Sequence, residues 1–167
     1  MMPVQPTKCR VAIDVAVSGS EAMDREYPKG NGQKILVVED DPDVRHLTQR
    51  ILDGLNYEVI VADDGPMALE ILAALDESGV TIDLVFSDVV MPAGMNGIDL
   101  SIAVWGRYPD TPVMLTSGFP DDVLREAGMS EEDLRHLKVV KKPYSRLQLA
   151  TSIDTLFKSR LANKYLH

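Results

Sequence analysis

The chain has 167 residues, 45% of them hydrophobic, which allows one domain of ordinary size with a sizeable buried core. Its formal net charge is −9 and its pI is about 4.7, which argues against nucleic acid or an anionic membrane as a partner, because binding phosphate needs clustered Lys and Arg. Cys9 is the only cysteine, so an internal disulfide is excluded, and with no apolar run near the roughly 20 residues that cross a bilayer and no signal peptide, a cytoplasmic protein is expected.

Residues 1–33 differ from the rest of the chain in charge. They hold four basic and four acidic residues, so the whole negative excess lies downstream. Within them, Val11–Val17 alternates larger apolar residues with Ala and Asp, the two-residue period of a strand. The stretches Ser18–Ser20 and Tyr27–Gly32 are typical of loops. We therefore predict an N-terminal extension or linker that could contain one strand.

From Lys34 onward the pattern becomes regular. Ile35–Val38 is a continuous apolar run, which favours a strand covered on both faces. Asp41 and Pro42 then predict a helix start, with the aspartate as N-cap and the proline at the first helical position. The apolar residues that follow are spaced as on one face of a helix.

The same alternation continues to the end of the chain. Further strands are predicted at short apolar runs, and further helices where apolar residues recur at offsets of three, four and seven. The predicted strands are Val59–Val61, Leu84–Phe86, Val113–Leu115 and Val139–Val140, and the predicted helices are Ala68–Leu75, Ile98–Trp105, Asp121–Ala127 and Leu149–Leu161. Five strands alternating with helices predict a doubly wound α/β fold, with helices on both faces of a parallel sheet.

Polar side chains stand at the ends of four of these strands. Glu39 and Asp40 end the first, Asp88 ends the third, Thr116 ends the fourth and Lys142 follows the fifth. Parallel sheets of this class place their functional groups at the carboxyl ends of the strands. We therefore expect three carboxylates, a hydroxyl and an ammonium to converge on one rim of the sheet.

This set of groups suits phosphoryl chemistry. Carboxylates packed closely repel one another unless a cation neutralises them, and oxygen ligands of this kind predict a hard divalent ion, Mg²⁺. A carboxylate beside such an ion can attack phosphorus as a nucleophile. The charge on the phosphoryl oxygens then needs a metal, a fixed cation and a hydroxyl donor, and the rim supplies one of each.

Each residue also has an ordinary interpretation. The pair Glu39–Asp40 could serve only as a helix cap, Asp88 could be a turn residue, Thr116 could end a strand, and Lys142 could be a solvated charge. Asp41 is the better cap, however, which leaves the two acidic residues before it unexplained. Their joint placement at successive strand ends favours a site.

From Lys34 to about Phe157 the chain resembles the receiver domain of two-component response regulators. The resemblance rests on four motifs in the order that this family has them. They are Ile35–Asp41 (ILVVEDD), Asp83–Pro92 (DLVFSDVVMP), Leu115–Gly118 (LTSG) and Lys142–Pro143 (KP). It implies a flavodoxin-like fold with five parallel strands in the order 2-1-3-4-5, a receiver domain over residues 34–160, and a C-terminal tail over residues 161–167.

The resemblance also assigns the metal ligands. It implies that Asp40 and Asp88 ligate Mg²⁺ directly and that the backbone carbonyl of Val90 is a third protein ligand. Glu39 would act through water.

The phosphoryl group has its own set of residues. By the same resemblance Asp88 is the phosphoacceptor, and Thr116 and Lys142 hold the phosphoryl oxygens. The Lys142–Pro143 peptide is expected to be cis, an isomer tolerated only before proline.

Two features depart from the common receiver pattern. Val139 stands three residues before the lysine, where receivers usually carry Tyr or Phe, so no large ring is available to couple to Thr116. The stretch between Thr116 and Lys142 is longer than usual, which predicts an irregular fourth helix. The loop Met91–Gly97 looks most like receivers of hybrid histidine kinases. Val11–Val17 could then be the tail of a kinase domain, an added edge strand or a disordered extension.

The expected partners are a histidine kinase or a histidine phosphotransfer protein on the input side. On the output side we expect a downstream protein or a second copy of the chain. The resemblance implies a face made by the fourth helix, the fifth strand and the last helix, at about Pro120–Ala127, Leu137–Val140 and Ser145–Phe157. Because Val139 lacks a ring, we expect the loop Ser117–Pro120 to transmit the signal, with Phe119 changing its packing.

Two other functions compete with this interpretation. A phosphatase of the haloacid dehalogenase type also uses an Asp nucleophile and Mg²⁺, but it needs a second Asp two residues later, where this chain has Val90. A pure interaction module would lack an acidic residue or the lysine, and neither is missing. A signalling phosphoacceptor, rather than an enzyme, is therefore expected.

Overall fold

The computed structural model of the chain describes residues 26–92 and 94–166. The predicted strand at Val11–Val17 lies outside these residues, as do Cys9 and most of the predicted extension. The described elements alternate between strand and helix along the chain, except that two helices lie between the last two strands. The strands are β1 (Lys34–Val38), β2 (Glu58–Ala62), β3 (Leu84–Asp88), β4 (Val113–Ser117) and β5 (Lys138–Lys141), and the helices are α1 (Pro42–Gly54), α2 (Gly65–Glu77), α3 (Gly97–Arg107), α4 (Pro120–Glu126), α5 (Glu131–His136) and α6 (Arg146–Lys164).

The strands form a single parallel sheet in the order β2-β1-β3-β4-β5. This order confirms the doubly wound fold with strand order 2-1-3-4-5. The order reverses at β1, since the chain adds β2 on one side of it and β3 on the other. The carboxyl ends of β1 and β3 are therefore neighbours at the point where sheets of this class bind ligands.

Two apolar layers cover the sheet. Leu36 and Val38 of β1 face one layer, which α2 and α3 complete, whereas Ile35 and Val37 face the other, which α1 and α6 complete. All four side chains are buried, as the continuous apolar run predicted. Fully burying one aliphatic side chain contributes roughly 1.5–3 kcal/mol, so the two layers hold the strand ends in fixed positions.

The start of α1 follows its sequence closely. Asp41 Oδ1 accepts hydrogen bonds from the backbone amides of Asp43 (2.9 Å) and Val44 (3.2 Å), and Pro42 occupies the first helical position. These contacts satisfy amides that would otherwise lack intrahelical partners. The predicted cap is confirmed, so neither Glu39 nor Asp40 is the N-cap of α1.

The region after β4 differs from the prediction. The fourth helix ends at Glu126, and a second short helix, α5, follows it, which the sequence reading had missed. The side chain of Ser130 accepts a hydrogen bond from the backbone amide of Asp133 (3.1 Å) and is the N-cap of α5. The irregularity expected here is therefore a division into two helices.

Helix and backbone contacts are present on both sides of the predicted receiver-domain bounds at residues 34 and 160. The helix α6 continues to Lys164, so the segment predicted as a C-terminal tail begins in helix. At the other end, the amide of Gly30 donates to Leu55 O (2.8 Å), and the guanidinium of Arg146 lies 5.3 Å from the centre of the Tyr27 ring. The division at residue 33 stays a prediction. Across the described ranges, no helix is both long and apolar enough to cross a membrane.

Gly97 brings α3 against the loop that follows Asp88. Its amide donates to Val89 O (2.9 Å). A methyl group added there would lie 2.9 Å from Val89 Cα and closer still to Asp88 O, both of which are backbone atoms. The absence of a side chain at Gly97 therefore fixes where the end of β3 can lie.

We predict that Gly97→Ala lowers the free energy of unfolding by about 1–3 kcal/mol, because the new methyl group must push backbone aside. Gly106→Ala is the matched control on the same helix, since a methyl group there meets no atom of the described residues within 4 Å. That variant should gain about 0.5–1 kcal/mol from the better helix propensity of alanine. Urea denaturation measures both, and equal stability of the two variants would contradict the close approach.

Candidate functional site

Three carboxylates meet at the carboxyl ends of β1 and β3. Each of Glu39, Asp40 and Asp88 offers an oxygen, and these oxygens all lie within 4.8 Å of one another. Asp40 is exposed, whereas Glu39 is only 5% exposed. The cluster thus has one buried wall and one side open to solvent. The three residues predicted to form it are brought together.

Lys142 supplies the cation that faces this cluster. Its Nζ lies 3.0 Å from Asp88 Oδ2 and 3.2 Å from Glu39 Oε2. Burial lowers the pKa of Lys142, but hydrogen bonding to Asp88 and the charges of Asp88 and Glu39 outweigh it, so the pKa is raised and the ammonium is held charged. The sequence predicted that this ammonium lies on the same rim as Asp88, and the structure shows the two in contact. The structure adds a second contact, with Glu39.

Glu39 experiences opposing influences. Burial is the largest and raises the pKa of this carboxyl group; the charge of Lys142 lowers it, and the charge of Asp88 raises it again. The net shift is upward. A carboxylate in this position is stabilised by any additional positive charge that reaches the cluster.

Each oxygen of the Asp88 carboxylate has a defined partner. Lys142 holds Oδ2, and the backbone amide of Val90 donates to Oδ1 (3.2 Å). The hydroxyl of Ser87 donates to the Asp88 carbonyl (2.8 Å), which fixes the main chain at the same residue. The carboxylate is therefore oriented, with the loop after β3 on one side and Lys142 on the other.

Thr116 is the register partner of Asp88 on the neighbouring strand β4. Its Oγ1 is buried and has no hydrogen-bond partner within residues 26–92 and 94–166. A buried hydroxyl without a partner lowers the stability of the fold by about 1–3 kcal/mol, so such a group calls for a structural or functional explanation. This hydroxyl can donate to an oxygen that arrives beside Asp88.

The donor set fits Mg²⁺. The three groups are carboxylates, which hard divalent cations prefer, and one exposed member leaves room for the waters that Mg²⁺ keeps. Their combined charge exceeds that of Lys142, the one ammonium that pairs with them among residues 26–92 and 94–166. A divalent cation would relieve the repulsion that remains.

Other expectations have mixed outcomes. The Lys142–Pro143 peptide is cis, as expected. Val139 is half-buried against the apolar layer that contains Leu115, and Phe119 is 74% exposed. The ligand role of the Val90 carbonyl stays a prediction.

Sequence reasoning missed two contributors near the site. Arg45 Nη1 donates to the backbone carbonyl of Glu39 (2.7 Å). The hydroxyls of Thr48 and Tyr144 lie 3.0 Å apart and join α1 to the loop after β5. The sequence held a signal for the Arg45 contact, because this arginine stands in the first turns of a helix that follows an acidic strand end. Nothing in the sequence spacing indicated the second.

The chain is similar to known proteins over most of its length. A family model described as the response regulator receiver domain matches residues 35–154. The sensor histidine kinase TmoS of Ectopseudomonas mendocina is 30% identical over 165 residues, which cover 98% of this chain and 16% of TmoS. The sensor kinase CckA of Brucella abortus (strain 2308) is 33% identical over 150 residues, covering 89% of this chain and 15% of that kinase. The chain thus spans less than a fifth of the length of these two relatives.

The chain is also similar to a solved structure. The receiver domain from the hybrid histidine kinase CckA superimposes with a TM-score of 0.57 at 33% identity, covering 74% of this chain and 97% of that one. The match includes nearly the whole of the solved domain.

The bridging lysine gives a testable consequence. We predict that Lys142→Met lowers the free energy of unfolding of the metal-free protein by about 1.5–3 kcal/mol, because it removes two charge-assisted hydrogen bonds and leaves Asp88 and Glu39 without a facing cation. Lys141→Met is the matched control, since Lys141 is exposed and makes no ion pair with any described residue. It should change stability by at most about 0.5 kcal/mol. Equal losses in the two variants, measured by urea denaturation, would show that the bridge does not stabilise the fold.

Proposed function

The chain belongs to the response regulator receiver domain family, and we propose that Asp88 is its phosphoacceptor. The observation that carries the proposal is the carboxylate of Asp88, which Lys142 Nζ and the Val90 amide orient at the centre of an acidic cluster. A carboxylate held in this way can attack phosphorus. One carboxylate oxygen forms the new bond, while the bond from phosphorus to the donor breaks and the leaving atom keeps the electron pair.

We propose that Asp40, Asp88 and the Val90 carbonyl hold Mg²⁺, with Glu39 acting through water. When bound, the ion supplies positive charge that neutralises the carboxylates and the phosphoryl oxygens. The chain itself sets the geometry. Asp40 is the exposed member of the cluster, so it is accessible to a hydrated ion, whereas Glu39 is buried.

Lys142 and Thr116 receive the phosphoryl oxygens in this proposal. Lys142 Nζ already faces Asp88 Oδ2 at 3.0 Å and can pair with an oxygen attached there. Thr116 Oγ1 is buried, unpaired among the described residues, and set opposite Asp88 on the next strand. Formation of its hydrogen bond removes the cost of the unpaired hydroxyl, so phosphorylation favours a new position of Thr116.

The phosphoryl donor is proposed to be a histidine kinase or a histidine phosphotransfer protein. The curated relatives TmoS and CckA are sensor kinases by their names. A phosphatase of the haloacid dehalogenase type is disfavoured, because Val90 cannot act as the acid and base that such an enzyme needs at this position. The chain therefore acts as a signalling phosphoacceptor rather than a turnover enzyme, and a cytoplasmic location stays a prediction.

We propose that the output is read by a downstream protein, or by a second copy of the chain, on the face of α4, β5 and α6. The amide of Phe119 donates to Ser117 Oγ (3.0 Å), and the Ser117 carbonyl accepts from the Lys142 amide (2.8 Å). Ser117 follows Thr116 directly. A shift of Thr116 therefore reaches Phe119 at the start of α4 and Lys142 at the end of β5.

The first test is chemical. Incubation with acetyl phosphate and Mg²⁺ should add one phosphoryl group to the wild type and none to Asp88→Asn, because an amide is a poor nucleophile. Asp53→Asn makes the same change in charge at an exposed position of α1 and should be labelled like the wild type. Intact-protein mass spectrometry reads all three. Equal labelling of Asp88→Asn and the wild type would reject Asp88 as the acceptor.

The second test follows the signal. Treatment with beryllofluoride and Mg²⁺ should shift the amide resonances of Ser117, Phe119 and residues of β5, and Thr116→Val should suppress these distant shifts while leaving those at Asp88. Moving a population from one in a hundred to ninety-nine in a hundred needs roughly 5.5 kcal/mol, which several charge-assisted contacts can supply. Shifts confined to the acidic cluster in the wild type would rule out this route.

A further inference from the structure

The loop between β1 and α1 carries both Glu39 and Asp40, and one arginine holds its main chain. Arg45 stands near the start of α1, and its side chain is only 18% exposed. Its Nη1 donates to the backbone carbonyl of Glu39 (2.7 Å). The contact is to the main chain, so the carboxylate of Glu39 remains free to face Lys142 and Asp88.

The same guanidinium reaches a second loop. Arg45 Nη2 lies 3.2 Å from Asp63 Oδ1, directly after β2 and next to Asp64, which caps α2. The amide of Glu39 donates to Ala62 O (3.2 Å), at the end of the same strand. Both backbone polar groups of Glu39 are therefore fixed, one by β2 and the other by Arg45.

We infer that Arg45 is a positioning residue of the acidic site. It holds the main chain at Glu39 so that Glu39 and Asp40 face Asp88 at the spacing that a divalent cation needs. This inference rests on the proposed function, because it assumes that the cluster binds Mg²⁺. Groups that orient metal ligands without touching the metal typically change metal affinity by 10- to 100-fold when they are removed.

The charge of Arg45 predicts the opposite effect on binding. A guanidinium hydrogen-bonded to the loop that carries Glu39 and Asp40 repels a cation, so its removal by itself should tighten Mg²⁺ binding. Loss of positioning should weaken binding. The sign of the change in Kd therefore separates the two roles.

The geometry also distinguishes arginine from lysine. A planar guanidinium can donate to the Glu39 carbonyl and to Asp63 at once, whereas an ammonium is a compact point charge on a flexible stem. Arg45→Lys keeps the charge and loses the double contact. It should weaken Mg²⁺ binding less than Arg45→Met does, but still measurably.

Calorimetric titration with MgCl₂ tests the inference on the full chain. We expect the Kd to rise about tenfold in Arg45→Met and about threefold in Arg45→Lys. Arg50→Met is the matched control, because it removes one exposed positive charge from the same helix, and its Kd should stay within about twofold of the wild type. Thermal melts without Mg²⁺ confirm that each variant is folded at the titration temperature. A purely structural role would lower the melting temperature and leave the Kd of the folded protein unchanged.

Asp40→Ala separates failure of this inference from failure of the proposed function. If the wild type does not bind Mg²⁺, or if Asp40→Ala binds it equally well, the proposed site is wrong. If Asp40→Ala loses binding while Arg45→Met binds as tightly as the wild type or more tightly, the site stands and the role of Arg45 is overturned. Should Arg45→Met fail to fold, Arg45→Lys decides, and an unchanged Kd there rejects the inference.

Discussion

The rest of this structure depends on one electrostatic constraint, the repulsion among three carboxylates that face one ammonium at the rim of the sheet. The oxygens of Glu39, Asp40 and Asp88 lie within 4.8 Å of one another, and Lys142 spans from β5 to the ends of both β1 and β3. Like charges at this distance repel, so the fold holds an arrangement that is unfavourable without further positive charge. The apolar layers on both faces of the sheet offset that cost. A cation or a phosphoryl group arriving at the rim therefore meets groups that are already in place.

The parallel register explains how residues distant in sequence reach this rim. Asp88 is paired with Thr116, and Ser87 with Val38, so the carboxyl ends of three adjacent strands are aligned to within a residue. Backbone contacts then refine the positions. Gly97 lets α3 approach the end of β3, and Arg45 fixes the carbonyl of Glu39. Residues with no part in the proposed chemistry thus determine where the reactive groups lie.

Most of the fold and the core of the site could be predicted because they depend on local patterns. Asp41 and Pro42 predict a helix start. Because functional groups of parallel sheets lie at the carboxyl ends of the strands, Asp88 and Thr116 were predicted to lie together. The other contacts of the site depend on the course of the main chain in the folded protein, which local sequence patterns do not encode. The contact from Lys142 to Glu39, and that from Arg45 to the Glu39 carbonyl, require knowledge of which way a main chain turns. The helix α5 was missed because Ser130 is equally suited to end one helix and to cap the next.

Val139 constrains how a signal can leave the site. Because Val139 has no ring, no aromatic side chain at this position can move into the space that opens when Thr116 shifts. The connections present run through Ser117, which accepts from the Lys142 amide through its carbonyl and from the Phe119 amide through its hydroxyl. Ser117 is buried, so it cannot move without displacing one of these partners, whereas Phe119 is 74% exposed and free to repack. We infer that the strand end itself, rather than a swinging side chain, transmits the change, and that Phe119 is where it reaches the surface.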